Sequence, residues 1–565
     1  MALSLVHTKG HAVPIDSRPH HLTPFQRLWQ LLRPEWPDIS VIAIFSVGIG
    51  LLALSIPITV EALVGSVQGG NTAMTQQVIV LAVILLICLL LAGAMRAWSQ
   101  YLAEFFQRRL FVRIVSDLAD RLPRVKTQAL DGYHGPELVN RFFDVLTMQK
   151  AAAVLLLDGL AVVIQGMIGL AVLAVWHPYL LGFNLALLIS LMFLIWALGY
   201  GGVQAKITES YAKYAVAAWM EELIRHPHTF KTVDSQTYAS DRADRLTVDY
   251  LLARQDSFQI LFRQIVFGIM LQALASATLL GLGGWLVIRN ELTIGQLVAA
   301  ELIVAVTVGS LIKLGKSIES YYDLMSAVDK LGHLLDLETE RCEGQEPHVD
   351  GPASLEVRDL SFSYCGRGGV NRASFRIDPR ERVALTGSPG SGKSTLLALL
   401  QADRDPDRGV IRLDGIDARQ LSLDAYRQRV AAAGVCEVFD GSILDNITLG
   451  RSCVTLNEAR QALELVQLLE EVERLPEGIQ TRLVTGGAPL SGSQADRLML
   501  ARAIAGKPGL LLVDDLLDRM EPELCRRTLA MLIAPDAPWT LVIATTRADV
   551  MAACQRVIQP SGAVR

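Results

Sequence analysis

Over roughly the first 315 residues, apolar side chains run in long uncharged stretches; beyond them the pattern changes to the shorter alternating and apolar segments of an ordinary soluble domain. Six stretches approach the length of about 20 residues that a bilayer demands of a helix. Predicted spans fall at 38–62, 74–98, 152–176, 178–203, 265–289 and 293–315. Trp176-His177-Pro178 and Arg289-Asn290-Glu291 form tight turns between spans on one side. The connection between the first two spans has no Lys or Arg. By contrast, 99–151 carries Arg108, Arg109, Arg113, Arg121, Arg124, Lys126, Arg141 and Lys150, and 204–264 carries Lys206, Lys213, Arg225, Lys231, Arg242, Arg245 and Arg254. The positive-inside rule therefore puts both long connections and both termini in the cytosol. Both connections read as helical extensions of the spans, reversing near Tyr133-His134-Gly135-Pro136-Glu137 and near His226-Pro227-His228. Pro and Gly break the helical pattern there, with ordinary loop punctuation as the alternative.

Residues 1–22 are polar with no apolar h-region, so the expectation is a loose cytosolic tail rather than a signal peptide, and too short a one for a peptidase domain. The following stretch, TPFQRLWQLLRPEW, predicts a short amphipathic helix capped by Thr23. Phe25, Leu28, Trp29, Leu31 and Leu32 would form its apolar side and leave Arg27 and Arg33 toward lipid headgroups, although a plain soluble helix fits too. Three carboxylates fall inside spans: Glu61, Asp158 and Glu301. Ionisable groups are costly there, and Glu301 is the leading candidate for a polar pathway; Glu61 and Asp158 lie near span ends, where polar partners are within reach.

Thr339–Pro352 turns polar, with Glu, Gln, Gly and Pro, as a linker does. The predicted organisation is thus a tail at 1–22, a transmembrane domain at 23–338, a linker at 339–352 and a nucleotide-binding domain at 353–565. The last begins with the strand-like LEVRDLSFSY and soon reaches VALTGSPGSGKST, where Gly387, Gly392, Lys393 and Ser394 fit G-x-x-x-x-G-K-[ST]. An apolar run, Val383-Ala384-Leu385, precedes the loop and the helix-like LLALL follows it, which is the context this motif requires. Such a loop turns backbone N–H groups toward phosphates, with Lys393 as a point charge and Ser394 as a magnesium ligand. Gly387, Ser388, Gly390, Gly392, Lys393, Ser394 and Thr395 are the predicted phosphate-binding residues.

Composition agrees with two unlike halves. With 565 residues, 51% of them hydrophobic, the chain is too long and too apolar for one soluble domain. Its net charge of -5, with no block of Lys and Arg, argues against nucleic acid as a partner. Seven scattered cysteines make no C-x-x-C pair. Cys365, Cys436, Cys453, Cys525 and Cys554 lie in the nucleotide-binding half, which implies reduced cytosolic thiols.

Further along, Leu490-Ser491-Gly492-Ser493-Gln494, followed by Arg497 and ARAIAGKP, resembles the LSGGQ signature of ATP-binding cassette (ABC) proteins, with Ser for one Gly. Leu510-Leu511-Leu512-Val513-Asp514 resembles their Walker B strand. In this order and spacing the motifs make nearly everything after residue 22 resemble an ABC exporter half-transporter, loosely like the protein and peptide secretion exporters. That resemblance implies a membrane domain of six helices with long cytosolic extensions, fused to an α/β P-loop NTPase domain. It implies ATP and Mg2+ as cofactors, Tyr364 stacking on adenine, Ser394 and Asp514 holding the metal, and Ser491, Gly492 and Gln494 facing a nucleotide on a partner subunit. A multi-pass protein of the bacterial inner membrane is the matching location.

Several positions depart from the family pattern. Asp515 stands where the catalytic Glu is expected and Thr546 where the switch His is expected. The Q-loop Gln position aligns with about Gly434, with Glu437 the nearest carboxylate, and Asp518-Arg519-Met520-Glu521 replaces the usual SALD. The groups that cradle phosphate survive, whereas those that orient water are shortened or lost. ATP binding with slow or absent hydrolysis is the expectation, in an export subunit paired with a different, catalytically complete half-transporter. A homodimer hydrolysing slowly through Asp515 and a nucleotide-sensing membrane regulator that transports nothing are the alternatives. The sequence carries no signature of the exported substrate.

Overall fold

The computed structural model describes residues 23–68, 74–131, 140–346, 349–364 and 367–560. The tail at 1–22 and the predicted reversal at Tyr133–Glu137 lie outside the described residues. The chain divides into two compact units, one formed by residues up to 123 together with 132–337, the other by 124–131 together with 338–565.

The first unit is entirely helical among its described residues. Five of its helical segments are long and apolar enough to cross a bilayer, and Ile294–Ala305 adds a shorter apolar stretch. Their apolar side chains face outward: Val78, Ile79, Val83, Ile84, Ile87 and Leu90 are all exposed. A continuous apolar surface of that kind is stable against lipid and unstable against water. The predicted cytosolic extensions are real helices. Met74–Arg121 runs unbroken for 48 residues and Val233–Ile288 for 56. Gly202–Arg225 ends where His226 and Pro227 interrupt it, as the sequence predicts.

Three details differ from the sequence reading. The first span breaks at Leu54 into Trp36–Ala53 and Ser55–Gln68. The fourth stops at Trp196, short of 203, and the chain turns before Gly202–Arg225 begins. Gly202 permits this turn, since a Cβ there would lie 2.4 Å from Cζ of Tyr322. Carbonyls freed by the break find donors on other helices: Arg263 Nε bonds Leu198 O at 2.7 Å, Arg263 Nη2 bonds Tyr200 O at 3.1 Å, and the Tyr322 hydroxyl bonds Gly199 O at 3.4 Å. Finally, Arg27 does not face headgroups. It is buried, pairs with Asp336 and donates to the Asp329 carbonyl at 3.3 Å, because a carboxylate in reach offers a better partner than an open surface. Phe25 and Trp29 are the exposed large apolar residues of that capped helix, Pro24–Leu32.

The second unit is an α/β domain. A sheet of β1 (Leu355–Tyr364), β2 (Arg367–Ile377), β4 (Arg408–Leu413) and β5 (Ile416–Asp417) has the order β2-β1-β4-β5. A second sheet contains β3 (Arg382–Leu385), β6 (Val430–Ala433), β9 (Leu510–Asp514), β10 (Thr540–Ala544) and β11 (Arg556–Ile558), in the order β11-β3-β10-β9-β6. All its pairings are parallel. A small ribbon pairs β7 (Gly441–Ser442) with β8 (Arg482–Leu483). Buried runs such as Val383-Ala384-Leu385 and Leu510–Val513 are what a parallel strand covered on both faces requires. In such a sheet, ligands bind beyond the carboxyl ends of the strands, where the segments after β3, β6, β9 and β10 gather.

Candidate nucleotide site

After β3 the chain loops through Thr386–Gly392 and enters the helix Lys393–Leu400. Gly392 caps this helix with φ 87°, and a Cβ there would sit 2.5 Å from the Gly369 carbonyl oxygen of β2. Only glycine tolerates both the left-handed backbone and the close approach. Lys393 Nζ folds back over the loop, donating to Gly387 O at 2.9 Å and Ser388 O at 3.5 Å. Ser388 and Gly390 are exposed at the crown of the loop, and Thr395 stands in the first turn of the helix. Ser391 Oγ is buried with no hydrogen-bond partner among the described residues, which leaves a hydroxyl free for a phosphate oxygen.

Asp514, at the end of β9, accepts the Ser394 hydroxyl at 3.2 Å. Burial pushes its carboxyl above the ordinary value; the Ser394 bond opposes the shift and the Asp515 charge adds to it. A carboxylate made costly by burial gains from a cation. Among the described residues no three His, Cys, Asp or Glu side chains group around a metal. A magnesium ion held by Ser394 and Asp514 would therefore complete its shell with phosphate oxygens and water, which is its usual preference. The loop, the orphaned Ser391 hydroxyl and the Ser394–Asp514 pair fit a magnesium nucleotide.

Tyr364 reaches this site through strand register. Ser363 of β1 pairs with Gly369, and Gly369 is the residue that abuts Gly392; Tyr364 is the next residue along. Its ring meets Phe362 edge-on at 5.0 Å and keeps 38% of its surface exposed.

The departures from the family pattern have structural partners. Thr546 donates both its hydroxyl and its amide to Asp518 Oδ2, each at 2.7 Å, and the Thr545 hydroxyl takes the other carboxylate oxygen. Gly434, after β6, lies so close to Asp514 that a Cβ would stand 2.9 Å from the Asp514 Cβ. Its carbonyl accepts Arg519 Nη2 at 2.6 Å, and Arg519 also pairs with Asp496 at 3.2 Å. Glu437 is exposed, and its backbone carbonyl accepts Arg502 Nη1 at 2.9 Å. Asp515 has φ 49°, a left-handed conformation that aspartate adopts more readily than most residues. Its Oδ1 is buried without a partner among the described residues.

Ser491 and Gly492 are exposed at the start of the helix Gly492–Ala505. Ser491 and Gln494 form a capping box, with Gln494 Nε2 on Glu471 at 2.7 Å. The structure thus brings Tyr364, the phosphate loop, Asp514, Asp515 and Thr546 to the strand ends, whereas the bonds of Ser491 and Gln494 go to each other and to Glu471. Sequence reasoning flagged the altered 518–521 segment without seeing that Asp518 would bond Thr546 and Arg519 the Gly434 carbonyl. It passed over Ser391, which stands at an unspecified position of the phosphate-loop motif.

Comparison with known proteins agrees with this geometry in both units. Residues 370–517 match the family described as ABC transporter, and residues 39–311 match the ABC transporter transmembrane region. The chain belongs to the ABC transporter family. Its fold is that of the exporters: the structure of a bacterial Atm1-family ABC exporter with ATP bound aligns with a TM-score of 0.80 at 19% identity, covering 94% of this chain and 95% of that one. An ATP-dependent lipid A-core flippase from Thiobacillus denitrificans is 26% identical over 95% of this transporter and 93% of its own length. The mycobactin import ATP-binding/permease protein IrtB of Mycolicibacterium smegmatis is 27% identical over 72% of this chain and 71% of its own. This ABC transporter is a multi-pass membrane protein, and ABC exporters act as dimers in the bilayer.

Proposed function

We propose that the chain is an export subunit that binds ATP and Mg2+ at its own phosphate loop, hydrolyses it slowly or not at all, and pairs with a different half-transporter whose catalytic residues are complete. The observation that carries this reading is the closure of the water-orienting positions. Thr546 has its hydroxyl committed to Asp518, and Gly434 offers no side chain while its carbonyl is held by Arg519. Phosphoryl transfer depends on positioning and electrostatics, so turnover falls further than binding when those groups are lost. The exposed start of the Gly492–Ala505 helix supports the other half of the proposal. Free N–H groups and the helix dipole there suit the γ-phosphate of a nucleotide held by the partner.

A homodimer hydrolysing slowly through Asp515 is the second reading, favoured by the unpartnered Asp515 Oδ1, which is free to accept a bond from water. Isolation of the tagged chain from its native membrane separates the two. Recovery of a second half-transporter with Glu and His at the positions of Asp515 and Thr546 supports the heterodimer; recovery of this chain alone, as a dimer, supports the homodimer. ATP-dependent flux in vesicles then tests whether either assembly transports.

A further inference from the structure

Arg404 joins two features that the nucleotide site leaves unconnected. Its guanidinium lies 4.7 Å from the Tyr364 ring centroid and 5.7 Å from that of Phe362. The same group makes a two-pronged ion pair with Asp131, Nη1 to Oδ2 at 2.6 Å and Nη2 to Oδ1 at 2.7 Å. The Arg404 side chain is only 11% exposed, so the pair is well shielded on one side. Asp131 closes the segment 124–131, which packs with the nucleotide-binding unit although the chain reaches it directly from the helix Met74–Arg121. That segment is pinned at further points. Lys126 pairs with Glu338 at 2.6 Å and Asp405 at 3.3 Å, and Gln128 donates to the Asp405 carbonyl at 3.1 Å.

We propose that Arg404 is a positioning residue for the nucleotide base: it covers one face of Tyr364, leaves the other for the adenine ring, and is itself held in place by Asp131. Base binding and docking of the 124–131 segment are then one linked equilibrium. Lysine could not replace it, because an ammonium makes neither the forked bond to Asp131 nor a flat contact with the ring. The inference rests on the reading of this loop as an ATP site.

The test uses the full chain in lipid nanodiscs, with equilibrium binding of ATP compared with tripolyphosphate, which offers phosphates and no base. Arg404→Ala is expected to weaken ATP by about threefold to tenfold, the worth of a partly buried cation–π contact, while tripolyphosphate binding stays unchanged. Arg404→Lys should behave like Arg404→Ala. Asp131→Asn should show a smaller loss of the same kind and add nothing to Arg404→Ala, since Asp131 acts through it. ATP, and not tripolyphosphate, should slow amide exchange over 126–131, an effect that Tyr364→Ala removes. Equal losses for both ligands, or none, would overturn the proposal. A wild-type chain that binds neither ligand would instead overturn the ATP reading on which it rests.

Discussion

Asp518 Oδ2 accepts both the amide and the hydroxyl of Thr546, each at 2.7 Å, so the end of β10 is fastened to the segment after β9. At this position the family resemblance implies an imidazole directed at the γ-phosphate. Here a hydroxyl is turned onto a neighbouring carboxylate, and in the proposed function the phosphate cradle works without that contact.

Restoring the lost groups should restore turnover. Asp515→Glu with Thr546→His is expected to raise phosphate release by the purified chain about tenfold or more, at nearly unchanged ATP affinity. Asp518→Ser added to this pair should raise it again, because it frees the end of β10 from Asp518.

Restoring the glutamine alone should do harm. A Cβ at position 434 meets the Asp514 Cβ at 2.9 Å, so Gly434→Gln has to displace the carboxylate proposed to hold Mg2+. Weaker Mg2+-dependent nucleotide binding is expected, and a Mg2+ titration of ATP affinity checks it.

Asp514 sets a pH dependence. Its carboxyl is raised above the ordinary value of 3.8 by burial, so the folded chain holds this proton more tightly than the unfolded one. Ionisation of Asp514 therefore costs stability as pH rises through the window above 3.8, and a bound cation offsets the cost. Magnesium competes with the same proton. Its affinity is expected to fall on acidification at a pH higher than an unperturbed aspartate would require, and Asp514→Asn should abolish both the binding and its pH dependence.

In the helical unit, Lys330 and Asp144 form a buried pair at 2.7 Å, with side chains 2% and 4% exposed. The Tyr214 hydroxyl donates to the same carboxylate at 2.9 Å. Removing one charge strands the other, so Lys330→Met should destabilise by about 3–5 kcal/mol, and Lys330→Met with Asp144→Leu by much less. Thermal unfolding in detergent, followed by ligand-independent fluorescence, measures both.

Much of this was legible in the sequence because it follows from local rules. Uncharged runs gave the spans, and VALTGSPGSGKST gave the phosphate loop from its residue types and flanks. What escaped was long-range pairing. Arg27 looked like a headgroup residue because nothing nearby in sequence reveals Asp336 as its partner. The break after Trp196 was hidden because the apolar run continues to Leu198, and the donors that satisfy the freed carbonyls, Arg263 and Tyr322, come from helices far along the chain. Asp518 and Arg519 were visible as departures from a pattern, yet their contacts with Thr546 and Gly434 depend on how the ends of β6, β9 and β10 converge.

The most direct measurement is ATP bound and ATP hydrolysed by the purified chain in lipid, without any partner. Stoichiometric binding that Lys393→Ala abolishes, with turnover close to background, is the predicted result. Brisk hydrolysis that Lys393→Ala abolishes would contradict it, and would mean that Asp515 suffices as the catalytic carboxylate in a homodimer.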